Sequence, residues 1–529
     1  MASSALKVLE PVFKFLPEVK SPTTPLGFSQ KVTWTLLALL LFFAMYNVAA
    51  VGVDKRFVDQ SDFLQVVTAS KMGSLLTTGI GPIVLASIFL QLFVGAKILK
   101  VDLKDPEQKS QFYGPQKLLA ILLCIFEAYI YVVVGNLPLQ PLFGSEGYVN
   151  SFAGGIATIQ TLAGQTIQVP MAHAVAGAAY TPLTMWLVLA QIALGSLILL
   201  FLDEVVSKHG LGSGISLFIA AGVALAIIGG LVQLGGIVTG ILQEGGAEVI
   251  SKAIMALFPL FATVIVFLVV VYVEGAKVEI PLSFDRARGV ATGFPIKLTY
   301  VSNIPVILAF ALIANFQFAA VLMNDAHWCI TGVPDANADA LNYCKGGIDF
   351  FNLLGRTSGG SPPQFVDGFF YLISPVFRPA IGQDYGGFVS QLFTATTPAL
   401  HIPEMAHVGI YILFLMSVCV IFGQFWVETT GMGPKEVAEQ LDAAGLQIPG
   451  YRRDPRIVTS LLEKYIPPIV VIGSAFVGLL AGLADLTGAL GTGTGILLAV
   501  SILYRLYQDI EKQQVFESNA LASKIFGKR

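Results

Sequence analysis

Apolar windows of about 20 residues, the length a helix needs to cross the hydrocarbon core of a bilayer, recur ten times along this chain. They lie near 33–53, 78–96, 118–136, 182–202, 213–234, 253–274, 301–322, 405–426, 465–484 and 489–509. In lipid every backbone N–H and C=O must find its partner inside the protein, which leaves helices or closed barrels. Windows of this length select helices, so the expected fold is an all-α polytopic membrane protein. Composition agrees: 55% of the 529 residues are hydrophobic and 12% charged, against about 25% charged in soluble domains. With 31 Lys and Arg against 34 Asp and Glu, there is no bulk electrostatic case for a nucleic-acid binder. The spacing of Cys124, Cys329, Cys344 and Cys419 fits neither a zinc site nor a redox pair, so neither metal nor cofactor is expected. The first window begins too far in, and lacks the small-residue cleavage site, for a removable signal peptide.

Basic residues set the orientation. If residues 1–32 are cytoplasmic, alternation places 97–117, 203–212, 275–300, 427–464 and the tail from 505 on the same side, and these six segments hold 24 of the 31 Lys and Arg. Both termini are therefore expected in the cytoplasm. The domains that follow are a cytoplasmic N-terminal segment 1–32, an N-terminal half 33–234, an external hinge loop 235–252, a C-terminal half 253–509 with a long external region 323–404, and a cytoplasmic tail 510–529.

Gly212-Ser213-Gly214-Ile215-Ser216-Leu217 opens the fifth span, and Gly493-Thr494-Gly495-Ile496-Leu497-Leu498 lies in the tenth. Five spans apart, the copies cross in opposite directions, the footprint of an inverted five-plus-five repeat; close packing of small residues accounts for the same letters. Residues 54–80 break the pattern. They are too polar to span, yet Phe63, Leu64, Val66 and Val67 supply an apolar face, and Gly79-Ile80-Gly81-Pro82 interrupts the helix that follows. Irregular backbone at membrane depth needs protein or water around it, so a short helix at about 57–73 is expected to fold back into the bundle; an amphipathic helix on the outer surface is the alternative.

Catalysis finds little support. His173, His209, His327, His401 and His407 fall in loops or at span edges, and Gly212-Ser213-Gly214 has no histidine within a span to serve as base, so no catalytic residue is assigned. Glu127 is the one ionisable group read as deep within a span, with Asp203, Glu204, Glu274, Glu428 and Asp485 at ends; it either marks a path or bonds a neighbouring helix. Lys277, Arg286, Arg288 and Lys297 cluster in one cytoplasmic loop, and Lys435, Arg452, Arg453, Arg456 and Lys464 in another. Such loops satisfy the orientation rule or meet anionic lipid, and their length also suits docking on RNA phosphates. A secondary transporter shares inverted repeats and broken helices and stands as the rival reading.

Short strings then point to one family. Leu16-Pro17-Glu18-Val19, Gly79 to Val84, Leu202-Asp203-Glu204, Gly212 to Ile215, Pro295-Ile296-Lys297, Ser302 to Ile307, Trp426-Val427-Glu428, Tyr465-Ile466-Pro467-Pro468 and Gly488 to Leu498 occur in this order nearly end to end. The chain resembles the SecY family, the large subunits of the Sec protein-conducting channel, in its archaeal rather than bacterial form. The resemblance implies two inverted halves around a central pore, a half-inserted plug, no enzymatic activity and no cofactor.

By the same resemblance a pore ring is made of Ile80, Val84, Ile215, Ile219, Ile307 and Leu498, and a plug includes Asp62, Phe63, Leu64, Val66, Val67 and Ser70. A lateral gate uses Glu127 and Asn315, with Leu85 where the family usually has threonine, and Arg286, Arg288, Arg452 and Arg453 dock on the ribosome. Implied partners are a SecE-type subunit, a small beta subunit, the ribosome, indirectly the signal recognition particle receptor, the nascent polypeptide and membrane lipid; the membrane implied is the archaeal plasma membrane rather than the endoplasmic reticulum. The external segments 137–181 and 323–404 are longer than the family leads one to expect. Cys329 and Cys344 fall on the external side, where thiols oxidise, and a disulfide between them is expected, with two free thiols as the alternative; Cys124 and Cys419, within spans, are expected reduced.

Overall fold

A computed structural model describes residues 17–22, 26–53, 69–95, 106–133, 137, 148–153, 156–160, 166–170, 182–244, 249–284, 291–298, 300–301, 304–322, 333–334, 344–345, 350–357, 365–375, 390, 392–396, 402–443, 446–447 and 455–526. Ten helices correspond to the ten windows: α1 (Phe28–Asn47), α2 (Gly81–Gly95), α3 (Pro106–Val133), α4 (Pro182–His209), α5 (Gly214–Glu244), α6 (Phe258–Gly275), α7 (Ile304–Leu322), α8 (Glu404–Thr430), α9 (Pro455–Leu486) and α10 (Gly493–Phe526). Among the described residues seven helices are long and apolar enough to cross a membrane, and α2 and α7 contribute shorter apolar stretches, Gly81–Leu90 and Ile304–Ile313. Several helices outrun their apolar windows. α5 continues to Glu244 into the segment read as a hinge loop, and α9 begins at Pro455.

Among the described residues, strands occur only in connections. β1 (Tyr148–Ala153), β2 (Ile156–Gln160) and β3 (Thr166–Pro170) form an antiparallel meander between α3 and α4. β4 (Lys277–Phe284) and β5 (Ala291–Lys297) form a hairpin between α6 and α7, and Leu446–Gln447, from the loop between α8 and α9, pairs antiparallel with the end of β4. The two basic loops thus share one three-stranded sheet. Shorter two-stranded pairs, Val333–Pro334 with Cys344–Lys345 and Arg356–Thr357 with Phe365–Asp367, lie between α7 and α8.

Helix packing repeats between the halves. α2 on α3, α3 on α4, α4 on α5 and α1 on α5 have counterparts in α7 on α8, α8 on α9, α9 on α10 and α6 on α10. The halves meet where α2 packs against α7 and α8, and where α5 packs against α10. α8 and α9 approach closely because Gly478 and Gly482, four apart, face Met416 and Ile412 with nothing larger than hydrogen between them, the small-residue spacing that brings membrane helices together.

The repeat is real in register two residues away from the one its letters suggest. Gly212 and Gly491 both hold φ in the left-handed region, +74° and +70°, where glycine escapes the penalty a Cβ brings. In each case the helix starts two residues later, at Gly214 and Gly493, and the first turn closes through Leu217 N–H to Ser213 O and Ile496 N–H to Thr492 O, both 3.1 Å. Gly212 therefore corresponds to Gly491, not Gly493, and Ile219 to Leu498. A second repeat went unread in the sequence: α2 and α7 each carry proline at their second position, Pro82 and Pro305, where the missing N–H costs nothing. Val84 and Ile307 are then both fourth in their helices.

Candidate functional site

The described end of the broken segment, 69–80, is irregular backbone sealed inside protein. Ala50 N–H donates to Gly73 O (2.8 Å) and Leu75 N–H to Val48 O (3.1 Å), tying it to the end of α1. Ser70, Ser74, Thr77 and Thr78 are buried. Thr77 Oγ1 donates to Ser74 O at 2.6 Å, and Thr78 shares a short hydrogen bond with Ser196 of α4. Each buried hydroxyl with a partner offsets a desolvation cost of about 1–3 kcal/mol, which is how polar backbone survives at this depth. Asp62, Phe63, Leu64, Val66 and Val67 lie outside the described residues.

Immediately after that segment come the apolar side chains at the junction of the halves. Ile80 (1% exposed), Val84 (7%), Ile219 (0%) and Leu498 (0%) belong to one hydrophobic cluster, and Ile215 and Ile307, partly buried, pack against it. They come from the end of the irregular segment and from α2, α5, α7 and α10, two helices of each half. An aliphatic side chain offers water no hydrogen bond, so a narrow ring of them dewets and stops ions.

Beside this cluster, Glu127 of α3 is 5% exposed. A Cβ at Gly81 would lie 3.4 Å from its Oε2, so the carboxyl sits against the first turn of α2, whose Gly81, Ile83 and Val84 N–H groups are already bonded to Thr78 O and Ile80 O. Leu85, one turn into α2, is also buried. Asn315 lies on α7, which packs against α2, but its side chain is outside the described residues. Glu127 is not the one buried acid: Glu274 and Asp485, at the span ends where the sequence placed them, are each 3% exposed. Ser501 Oγ donates to Glu274 Oε2 at 3.3 Å, and Lys297 Nζ lies 3.9 Å from Oε1. Asp485 is treated below.

On the face that carries the described start of the chain, Pro17-Glu18-Val19 is clipped to α3 and α4. Lys117 Nζ donates to Pro17 O (2.5 Å) and Glu204 Oε2 (2.7 Å); Lys208 Nζ donates to Val19 O (2.5 Å), Glu18 Oε1 (2.7 Å) and Glu204 Oε1 (2.9 Å). On the opposite face the connection between α7 and α8 folds onto both helices. Phe370 and Ile373 pack against Phe316 of α7 and Phe414 of α8. Tyr371 donates to Glu404 Oε1 (2.7 Å), and fully buried His407 meets Glu404 Oε2 at Nδ1 (3.0 Å) and Ser374 O at Nε2 (3.2 Å). Nothing in the sequence patterns had singled out His407 or Tyr371. Arg286, Arg288, Arg452, Arg453 and Cys329 lie outside the described residues; Cys344 pairs with Pro334 in a short hairpin, while Cys124 and Cys419 are buried free thiols. Among the described residues no group of His, Cys, Asp or Glu has the arrangement of a metal site.

The SecY family model matches residues 74–507. Curated relatives include the protein translocase subunit SecY of Methanocaldococcus jannaschii, 37% identical over 523 residues covering 99% of this chain and 100% of the relative, and that of Pyrococcus horikoshii, 36% identical with 99% of each covered. Among solved structures, a protein-conducting channel superposes with a TM-score of 0.70 at 35% identity, covering 96% of this chain and 97% of the other. Canine Sec61 in a ribosome-channel complex from the endoplasmic reticulum superposes with a TM-score of 0.67 at 35% identity, with the same coverages.

Proposed function

Since the chain belongs to the SecY family and is the channel-forming subunit of a Sec translocon, a multi-pass membrane protein, we propose that Ile80, Val84, Ile215, Ile219, Ile307 and Leu498 form its pore ring. What supports this reading is that these residues stand at matching places in the two halves, Val84 and Ile307 each fourth in its helix and Ile219 and Leu498 each sixth, on helices that meet across the junction. At rest the ring excludes water; during transport its rotamers give way to an extended polypeptide, and its lack of polar groups makes it indifferent to sequence. The segment around Asp62 to Ser70 is the plug, its described end tied to α1 and α4.

The seam of α2 against α7 and α8 is the lateral gate, with Leu85, Glu127 and Asn315 along it. Once the seam parts, the translocating segment partitions: Leu or Ile at about −0.6 to −0.3 kcal/mol each favours lipid, and a central charge at about +2.5 to +3.5 kcal/mol holds a segment in the pore. Leu85 offers no hydrogen bond across the seam, so polar latching rests on Glu127 and Asn315. The channel has no catalytic step of its own, and its driving force comes from the translating ribosome.

The sheet that joins β4, β5 and Leu446–Gln447 supports a single docking platform, from which Arg286, Arg288, Arg452 and Arg453 meet ribosomal phosphates; the canine relative seen with a ribosome favours the same partner. Both termini and this platform face the cytoplasm, a SecE-type and a small beta subunit complete the complex, the signal recognition particle receptor acts indirectly, and the host is an archaeal plasma membrane. Cys329 and Cys344 form the external disulfide.

Replacing Ile219 and Leu498 together by serine should raise the resting ion conductance of the reconstituted complex at least several-fold in planar bilayers, whereas Ile83→Ser should not. An unchanged resting conductance in the double variant would remove the ring. Failure of a stalled nascent chain to crosslink to Ile80 or Leu498 positions would remove the channel path itself.

A further inference from the structure

Asp485 is the last acidic residue of α9, one position before its end, and its carboxylate is buried. Oδ1 accepts the Thr494 N–H at 3.0 Å, the second amide of α10; Oδ2 accepts Thr494 Oγ1–H at 2.7 Å and the Tyr411 hydroxyl at 3.0 Å. The first two bonds cap α10. The third reaches another helix: Tyr411 stands on α8, fully buried, one turn beyond His407. Its ring lies in the same hydrophobic cluster as Leu498, four residues along α10 from Thr494. One carboxylate therefore joins the helix that packs across the seam against α2 to the helix that carries Leu498.

A charge-assisted hydrogen bond between groups withdrawn from water is directional and short, while the apolar contacts around it let helices slide. Packing already seats α8 on α9 through Gly478 and Gly482; the Tyr411 bond adds a directional link from α8 to the turn that starts α10.

We propose that Tyr411 is a positioning residue of the gate: by donating to Asp485 it fastens α8 to the α9–α10 turn, so that the gate helix and the pore-ring helix move as one body. The seam then parts only when the whole C-terminal half moves, which holds the resting channel closed to weak signals. This deepens the channel reading and rests on it.

The test uses the complete heterotrimeric complex in vesicles, with two translocation substrates that differ only by a charge placed in the centre of the signal segment. Wild-type vesicles must first import the intact substrate; if they do not, the channel reading falls before any variant is compared. Y411F keeps the ring and removes the donor. It should raise import of the disabled substrate relative to the intact one about threefold to tenfold, and broaden the distance distribution between spin labels at Leu413 on α8 and Leu503 on α10, both exposed. T494V removes a hydrogen bond to the same carboxylate without touching α8, and should leave both readouts at wild-type values. If Y411F does not assemble, D485A, which removes the acceptor altogether, replaces it with the same expectations. Wild-type discrimination and a narrow distance distribution in the tyrosine variant would overturn the proposal, as would equal changes in Y411F and T494V.

Discussion

At the α4–α5 turn, Asp203 Oδ1 accepts the N–H of Ile215, the second residue of α5, at 2.8 Å; at the α9–α10 turn, Asp485 Oδ1 accepts the N–H of Thr494, the second residue of α10, at 3.0 Å. Both turns hold a left-handed glycine two residues before the helix, and both bring the helix's first glycine against the preceding helix. A Cβ on Gly214 would lie 2.6 Å from Asp203 Cα, and one on Gly493 would overlap Ala484. The surroundings differ. Asp203 sits next to Glu204 in the lysine-clipped region and takes its other hydrogen bonds from its own turn, Ser207 and the Gly214 N–H, whereas Asp485 takes one of its bonds from another helix, the Tyr411 hydroxyl of α8. The inverted repeat copies backbone geometry; each half then uses the carboxylate differently, as a helix cap in one and as a cap plus cross-helix tie in the other.

Removing the carboxylates should separate the halves most. D485A removes the acceptor of the Thr494 N–H and of the Tyr411 hydroxyl and one acceptor of Thr494 Oγ1–H, which keeps Ala481 O at 3.4 Å; each lost buried hydrogen bond costs about 1–3 kcal/mol, for a loss of about 3 kcal/mol. D203A removes the cap of α5 and a bond to Ser207, all within one turn, at a cost of up to about 2 kcal/mol. Thermal unfolding of the purified complex, followed by circular dichroism, should therefore show a larger fall in Tm for D485A; equal falls would break the comparison.

The glycines sharpen it further. Alanine at position 212 or 491 must adopt a left-handed φ, costing about 1–2 kcal/mol. At 212 the new methyl meets only Leu506 Cδ1, at 3.7 Å; at 491 it falls 2.7 Å from Ile227 Cγ1 of α5. G491A should thus unfold at a lower temperature than G212A, because it also pushes apart the α5–α10 contact between the halves.

The smallest effect is expected at the lysines. K208A removes a pair with Glu18, which is mostly exposed, and one of the two lysines on Glu204, which keeps Lys117 at 2.7 Å, a loss of about 1 kcal/mol that fades with added salt. K297A withdraws a cation from buried Glu274 and from the face of the Tyr504 ring, 4.7 Å away, and should cost more than K208A at every salt concentration. A reversed order in a salt titration of Tm would show that burial of the acid does not govern these pairs.

Ten spans, their alternation and the inverted order of the halves follow from the chain alone, because the bilayer admits only long apolar helices and basic residues bias their direction. Ile80, Val84, Ile219 and Leu498 stand out in the sequence only through family strings, since one aliphatic residue in a span looks like any other. The paired strings at Gly212 and Gly493 point to an inverted repeat but stand two residues out of register, for φ at Gly212 and Gly491 leaves no mark in the letters. Only the folded chain decided which buried acids matter. Asp485 reads as a span-end residue until α8 brings Tyr411, 74 positions away, to its second oxygen, and His407 as an edge histidine until the preceding connection lays Ser374 and Tyr371 beside it. Hydropathy records what each residue costs in lipid; which polar groups meet to offset that cost is set by helix packing.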